Sequence, residues 1–196
     1  DDGVQVALVI GGGKIFRGAA LQKAGLDRVA GDQMGMLATV MNGLAMRDEL
    51  IRQGGKCVLM SAYGIPSISA QYSAVAGRKA LEDGNVVIVA GGTGSPFFTT
   101  DTTAVLRAIE LKCDEVMKGT KVDGVYTADP VKDPSAVRYT SLSFNEVLAK
   151  ELQVMDLTAF VLARDHHMPI RVFSMNNEGA LLRAATGKDE GTLVSD

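Results

Sequence analysis

Apolar residues along this chain follow two patterns that alternate. Short uninterrupted runs such as "VALVI", "CVLM" and "VVIVA" are typical of parallel strands that are buried on both faces. The long stretch "GDQMGMLATVMNGLAMRDELIRQGG" repeats apolar residues at helical spacing before two glycines end it. Strands that alternate with helices and glycine turns predict an α/β fold, a three-layer sandwich in which helices cover both faces of a mostly parallel sheet.

The second half of the chain continues this alternation. Strands are predicted at "DEVMKGT" and "PIRVF", and helices at "DLTAFVLARD" and "EGALLRAATG". In "LSFNEV", Ser143 and Glu146 have the spacing of a capping box, which predicts the start of another helix. The Asp-Gly pair in "VDGVY" predicts a tight hairpin, and "GTLV" near the C terminus predicts an edge strand.

Length and composition narrow the class of protein. The 196 residues, 46% of them hydrophobic, suffice for one core, so we expect a single domain over residues 1–196. Since the chain has no initiating Met and enters a strand almost at once, we expect that an N-terminal segment is absent. The net charge of -3, with scattered basic residues, argues against a nucleic-acid partner. No apolar run reaches the length of a membrane span, which favours a cytoplasmic protein without a membrane partner.

Two glycine clusters mark the places where chemistry is expected. "VALVIGGGKIFRG" and "VVIVAGGTGSPFFTTD" both run from a buried strand into glycines and then toward a helix. Glycines there let backbone N–H groups approach an anion, and the positive end of the following helix favours phosphate. Steric need alone would explain one such cluster. Two clusters with Lys14 and Arg17 nearby favour a phosphate site.

The common phosphate-binding motifs are absent from both clusters. A P-loop requires GxxxxGK followed by Ser or Thr, but Ile15 follows Lys14 and Leu8 replaces the first glycine. The dinucleotide fingerprint GxGxxG also fails, because Phe16 and Phe97 replace its third glycine. The chain is therefore neither a P-loop kinase nor a Rossmann dehydrogenase.

The ordered set of motifs resembles the bacterial-type uridylate kinases of the amino-acid-kinase superfamily. The matching blocks, which extend from Val4 to the C terminus, are "GGGKIFRG", "GDQMGMLATVMNGLAMRD", "GGTGSPFFTTD", "KGTKVDGVYTADPVKDP" and "VMDLTAFVLARDHHMPIRVF". This resemblance implies an amino-acid-kinase-like fold and phosphoryl transfer from Mg-ATP to UMP. It also implies that the first strand of the family, with a catalytic lysine, is missing here.

The resemblance implies roles for individual residues. The residues expected to bind UMP are Gly12, Asp32, Thr93, Gly94, Ser95, Pro96, Phe97, Phe98, Thr99 and Thr100. The residues expected to bind ATP are Gly13, Arg17, Thr120, Tyr126 and Asp129. The residues expected to take part in catalysis are Arg17, Asp101 and Lys118, with Asp101 orienting the missing lysine. No side chain is assigned as a metal ligand, and Mg²⁺ is expected with ATP.

Several of these residues have simpler interpretations. Asp32 could be the N-cap of the long helix, and Phe97 and Phe98 could belong to the core. Lys118 could be a solvated surface residue. The turns of "TADPVKDP" would alone explain its two Asp-Pro pairs.

The resemblance also implies partners, and two other functions stay open. It implies a homohexamer and GTP and UTP as effectors. One rival is a kinase of the same superfamily that acts on a carboxylate or carbamate, such as aspartate. The other is a nucleotide-binding protein of the same fold without catalytic activity.

Overall fold

The computed structural model describes residues 3–13, 15, 25–152 and 154–196. Contacts group them into two units, Gln5–Lys112 and Cys113–Asp196, the second together with the described residues before Gln5. Both cysteines are free and half-buried. Within the described ranges, no helix combines the length and apolar character needed to cross a membrane.

The unit Gln5–Lys112 contains a four-stranded sheet with the strand order β1-β4-β2-β3, and every neighbouring pair is parallel. Its strands are β1 (Ala7–Val9), β2 (Cys57–Ser61), β3 (Ala70–Gln71) and β4 (Val86–Ala90), and its helices are α1 (Arg28–Arg52), α2 (Ala74–Glu82) and α3 (Thr100–Leu111). Because β1 and β4 are parallel neighbours, their glycine-rich ends lie at the same edge of the sheet.

Strand β4 is buried on both faces. Ile88 and Ala90 form a cluster with Leu59 of β2 and Val40 of α1. Val87 and Val89 alternate to the other face and are equally buried. Helices α2 and α3 pack on the strands and on each other. Burial of both faces explains why the run "VVIVA" is continuously apolar.

The unit Cys113–Asp196 contains the second sheet, with the order β5-β7-β8-β6. Its strands are β5 (Val116–Thr120), β6 (Ser141–Ser143), β7 (Ile170–Ser174) and β8 (Thr192–Ser195), and its helices are α4 (Phe144–Ala149), α5 (Leu157–Asp165) and α6 (Ala180–Ala185). In this sheet β7 and β8 pair antiparallel, whereas β5 with β7 and β6 with β8 pair parallel. Phe173 of β7 packs with Ala180 and Ala184 of α6.

The predicted α/β fold with mostly parallel strands is confirmed, and so is the capping box of Ser143 and Glu146 at the start of α4. Two local predictions are wrong. The "GTLV" strand lies inside its sheet, because β8 pairs with both β7 and β6. The Asp-Gly pair does not close a hairpin, since the antiparallel bridge joins Tyr126 to Arg138 across a longer loop. The single domain over residues 1–196 stays a prediction.

Candidate functional site

The glycine-rich ends of β1 and β4 and the start of α3 form a corner in the unit Gln5–Lys112. Gly11 lies beside the first residue of α3, since a β-carbon built on Gly11 would be 3.7 Å from Thr100 Oγ1. The Asn42 side chain holds the same loop by donating to the Gly11 carbonyl at 2.8 Å. The corner therefore joins both glycine clusters to a helix N terminus, as a phosphate site requires.

Gly12 allows this loop to pack closely on α1. A β-carbon at Gly12 would lie 2.5 Å from the carbonyl oxygen of Gly35 and 2.9 Å from Ala38 Cβ. Any other residue would push the backbone of the loop away from the helix. Gly12 thus has a steric role in addition to the role implied by the resemblance.

The backbone of residues 91–97, which we call loop 91–97, is held by side chains from other elements. Thr39 of α1 accepts a hydrogen bond from the backbone N–H of Gly91 at 2.7 Å. Arg107 of α3 donates from Nη2 to the Gly92 carbonyl at 3.1 Å. Gly91 and Gly92 both have positive φ, so this path suits glycine.

The middle of loop 91–97 is held in the same way. The Tyr63 hydroxyl donates to the Gly94 carbonyl at 2.6 Å. Within the loop, the Ser95 N–H donates to Thr93 Oγ1 at 3.2 Å. The middle of the loop is therefore hydrogen-bonded both to Tyr63 and within itself.

Asp32 connects α1 to the end of loop 91–97. Its carboxylate accepts hydrogen bonds from the Phe97 backbone N–H at 2.8 Å and from Arg28 Nε at 2.9 Å. The helix begins at Arg28, and its N-cap is Asp27, whose side chain accepts from the Ala30 N–H. The N-cap interpretation of Asp32 is therefore wrong. The structure brings together two sequence blocks that the resemblance assigned to one ligand.

Phe97 and Phe98 lie outside the core. Their exposed fractions are 65% and 54%, so the core interpretation is wrong for both rings. Phe97 has a φ of 71°, which is unfavourable for a bulky residue and is held here by the Asp32 contact. The Arg28 guanidinium lies 5.4 Å from the centroid of the Phe97 ring. These two rings supply apolar surface beside polar groups.

The first turn of α3 completes the corner. Thr99 is the N-cap and accepts from the Thr102 N–H at 3.2 Å. Thr100 and Asp101 follow as the first helical residues, where the backbone N–H groups of the first turn and the positive end of the helix favour an anion.

The unit Cys113–Asp196 holds the other predicted residues. Thr120, at the end of β5, accepts from the Val122 N–H at 3.0 Å. The Tyr126 hydroxyl donates to Asp123 Oδ1 at 2.6 Å, and this hydrogen bond raises the pKa of Tyr126. The hydroxyl therefore stays protonated at neutral pH.

Asp129 and Lys118 also make contacts within this unit. Asp129 Oδ1 accepts from the Val131 N–H at 3.0 Å in the loop of the Asp-Pro pairs. The Lys118 ammonium is half-buried and donates to the Val154 carbonyl at 2.7 Å. The interpretation of Lys118 as a solvated surface residue is therefore wrong.

The predicted site residues thus fall into two groups. Gly12, Gly13, Asp32, Thr93 to Thr100 and Asp101 belong to one unit, and Thr120, Tyr126, Asp129 and Lys118 belong to the other. Lys14 and Arg17 lie outside the described residues.

The sequence analysis missed the side chains that support loop 91–97, namely Arg28, Thr39, Tyr63 and Arg107. Only Arg107 has a recognisable signal. It lies four residues after Thr103 and four before Leu111, so it is a lone charge on the buried face of α3.

Comparisons with known proteins identify the family of the chain. The profile of the Amino acid kinase family matches residues 1–174. The uridylate kinase of Vibrio cholerae serotype O1 is 61% identical over 194 residues, which are 99% of this chain and 80% of that protein. The uridylate kinase of Saccharophagus degradans is 58% identical over 98% of this chain and 78% of its own length.

Solved structures agree as well. The crystal structure of the UMP kinase from Bacillus anthracis superposes with a TM-score of 0.94 at 38% identity, over 98% of this chain and 80% of that one. The UMP kinase from Ureaplasma parvum gives a TM-score of 0.92 at 36% identity, over 97% of this chain and 82% of its own. The resemblance found in the sequence motifs is thereby confirmed. The chain belongs to the uridylate kinases of the amino acid kinase family.

Proposed function

We propose that this protein transfers the terminal phosphoryl group of Mg-ATP to UMP and produces UDP and ADP in pyrimidine nucleotide biosynthesis. The observation that carries the proposal is the hydrogen bond from the Phe97 N–H to Asp32, which joins two blocks assigned to UMP. Relatives about 60% identical over nearly the whole chain are named uridylate kinases, which supports the same reaction here.

The corner offers a matching group for each part of UMP. Its phosphate would bind at the glycines and at the start of α3, where N–H groups and the helix dipole favour an anion. Asp32 would accept hydrogen bonds from the ribose hydroxyls with the lone pairs that its present partners leave available. The exposed rings of Phe97 and Phe98 would cover the uracil base.

ATP is assigned to the residues implied by the family. Gly13, Arg17 and Thr120 would contact its phosphates, and Tyr126 and Asp129 its adenosine. Mg²⁺ would be bound mainly by phosphate oxygens, which are oxygen ligands of the kind that this ion prefers. When bound, the ion would neutralise charge on the transferring group.

Phosphoryl transfer places modest demands on the protein side chains. The transition state is loose, so catalysis depends on positioning and on stabilisation of negative charge rather than on a strong base. Arg17 and Lys118 are proposed to supply positive charge. Asp101 is proposed to orient an ammonium group toward the phosphate.

The assembly is proposed to be a cytoplasmic homohexamer that responds to GTP and UTP. Helix α1 supports assembly, because Leu37, Met41 and Ile51 on it are 49%, 56% and 52% exposed. Apolar residues exposed to this extent on one helix are suited to burial against another copy of the chain.

A coupled assay of ADP release tests the proposal with UMP, CMP and aspartate as separate acceptors. It should be run on this chain and on a version extended at its N terminus to the length of its relatives. We expect turnover with UMP that clearly exceeds turnover with the other two. Turnover with aspartate would favour the rival kinase. Binding of ATP and UMP without transfer in the extended version would favour the non-catalytic alternative.

A further inference from the structure

Arg107 is a buried charged residue next to the UMP corner that none of the proposed roles uses. It is 6% exposed and lies in the middle of α3. Its Nη1 donates to Glu110 Oε2 at 2.8 Å, and its Nη2 donates to the Gly92 carbonyl at 3.1 Å. Its Nε is buried, and within the described residues it has no hydrogen-bond partner.

Neighbouring side chains hold the guanidinium in place. Its Cζ lies 4.2 Å from the centroid of the Tyr72 ring, and the Tyr72 hydroxyl donates to Glu110 Oε2 at 2.9 Å. Burial and the contact with Glu110 raise the pKa of Tyr72, so this hydroxyl remains a donor at neutral pH. Arg78 closes the cluster by donating to the Glu110 carbonyl at 2.7 Å.

This arrangement contributes little to the free energy of folding by itself. The Arg107 guanidinium must be desolvated, since its side chain is 8% exposed, while its partner Glu110 is only partly buried at 33%. An ion pair with one desolvated member is often no more stabilising than apolar residues of the same size. The guanidinium also leaves one N–H unsatisfied, which adds a further cost. A role in fixing geometry would explain why an arginine occupies this position.

The geometry that Arg107 fixes is that of the corner itself. Arg107 belongs to the same rigid helix as Thr100 and Asp101, which form its first turn. Its hydrogen bond to the Gly92 carbonyl therefore sets the distance between the glycine end of β4 and the start of α3. These are two parts of the corner to which UMP is assigned.

We propose that Arg107 is a positioning residue that holds loop 91–97 in the shape required to bind UMP. The inference rests on the proposed function for its ligand. Arg107 acts through the Gly92 carbonyl and contacts no substrate. Its loss weakens the binding of UMP and leaves the binding of ATP unchanged.

The test compares Arg107→Met and Arg107→Lys with the control Arg78→Met. Arg78 belongs to the same cluster but, among the described contacts, makes none with loop 91–97. For each variant, the KM values for UMP and ATP, the Kd for UMP by calorimetry, and the amide hydrogen exchange of residues 92–95 are measured. Thermal unfolding reports the general loss of stability in the variants.

We expect Arg107→Met to raise the KM and Kd for UMP about 10- to 100-fold, the range of a lost hydrogen bond to a charged group. The KM for ATP should stay within about twofold, and exchange of residues 92–95 should accelerate. Arg107→Lys, which can reach one of its two partners, should show a smaller change in the same direction. If Arg107→Met does not fold, Arg107→Lys decides by the same measurements.

Two results would overturn the inference. One is an unchanged Kd for UMP together with unchanged exchange of residues 92–95 in the Arg107 variants. The other is the same change in Arg78→Met, which would mean that the whole cluster acts only through stability. Failure of the proposed function is a separate outcome, because the unaltered protein would then not bind UMP. In that case the amide hydrogen exchange of residues 92–95 would still report the effect of Arg107 on the loop.

Discussion

Loop 91–97 and the segment of residues 120–139 carry proposed contacts to the two nucleotides, but they are held in different ways. The loop is held by side chains far away in sequence. Gly91 is hydrogen-bonded to Thr39, which is 52 residues away in sequence, and Phe97 is hydrogen-bonded to Asp32, which is 65 residues away. Each of these contacts joins the loop to α1.

Segment 120–139 is held mostly by its own residues. Tyr126 is hydrogen-bonded to Asp123, three residues away, and Asp129 is hydrogen-bonded to Val131, two residues away. Two distant anchors are Thr192 of β8, which accepts from the Val125 N–H at 2.9 Å, and Met175, whose N–H donates to the Thr120 carbonyl at 2.9 Å. The loop is therefore coupled to its core, whereas most of the segment is stabilised locally. Substitutions at the supports of the loop should change both stability and UMP binding, and substitutions in the segment should act locally.

The broadest effect, on stability and on UMP binding together, is expected for Gly12→Ala, which tests the coupling of the corner to α1. The new β-carbon would lie 2.5 Å from the Gly35 carbonyl oxygen, and neither backbone can yield cheaply. We expect a cost of about 1–3 kcal/mol, or a decrease in Tm of about 2–10 °C, as well as weaker UMP binding. Calorimetry measures both effects.

Gly11→Ala is the matched control for this substitution. Its β-carbon would make an ordinary contact, 3.7 Å from Thr100 Oγ1, so Tm should change by less than about 2 °C. Equal losses of Tm in both variants would contradict the close approach of Gly12 to α1.

Asp32→Asn tests whether the long-range contact serves UMP specifically. The amide keeps the shape of the side chain but loses the charge that holds Arg28 and would hold the ribose hydroxyls. We expect the KM for UMP to rise about 10- to 100-fold, equivalent to about 1.5–3 kcal/mol, with the KM for ATP unchanged. Steady-state kinetics with each substrate varied in turn provide the values.

The control for Asp32→Asn is Asp27→Asn, five residues earlier at the N-cap of the same helix. Because Asn caps a helix as well as Asp does, this change should leave both KM values unaltered. If Asp32→Asn lowers stability while UMP binding persists, the contact with Phe97 is structural and the assignment to ribose fails.

The helices and strands of both units were predictable from sequence, but several of the pairings between strands and loops were not. Continuous apolar runs identified β2 and β4 because both faces of these strands are buried. An apolar run as short as that of β8 occurs both in edge strands and in strands inside a sheet. Nothing in the sequence therefore indicated that β8 lies between β7 and β6. The Asp-Gly pair suggested a tight turn, yet Tyr126 pairs with Arg138 because the intervening loop folds on itself.

The glycine corner was predictable from the sequence, whereas the side chains that support it were not. The glycine corner follows from strands that end in glycines, and the residues proposed to bind UMP are those that the family motifs imply. Thr39 and Tyr63 belong to no recognised motif. They support loop 91–97 because the fold brings the backbone of the loop within hydrogen-bonding distance of their hydroxyl groups. Asp32 was ambiguous because a helix start has several candidate caps, and here Asp27 takes that role.

Thr39→Val tests a single buried support of loop 91–97. The valine has the same shape, but it leaves the Gly91 N–H buried without its acceptor. We expect the free energy of unfolding to fall by about 1–3 kcal/mol, measured by urea denaturation. Thr39→Ser restores the hydroxyl and should recover most of this loss. Equal losses in Val and Ser variants would show that the methyl group, rather than the hydrogen bond, matters at this position.

The smallest effect is expected for Tyr126→Phe, which tests the local character of segment 120–139. The substitution removes the hydrogen bond to Asp123, but Arg138 Nη1 still donates to the Asp123 carbonyl at 3.0 Å. Because the change is confined to the surface, the free energy of unfolding should fall by less than about 0.5 kcal/mol. The KM for ATP should change by less than about threefold, since the ring proposed to contact adenine remains.

Tyr126→Ala completes this test because it also removes the ring. We expect the KM for ATP to rise about tenfold, the effect of one lost aromatic contact, while the KM for UMP stays unchanged. If Tyr126→Phe instead lowers stability as much as Thr39→Val, segment 120–139 is coupled to its core as strongly as loop 91–97. The contrast between long-range and local support would then be wrong, and the number of residues between bonded partners would say little about how rigidly each nucleotide is held.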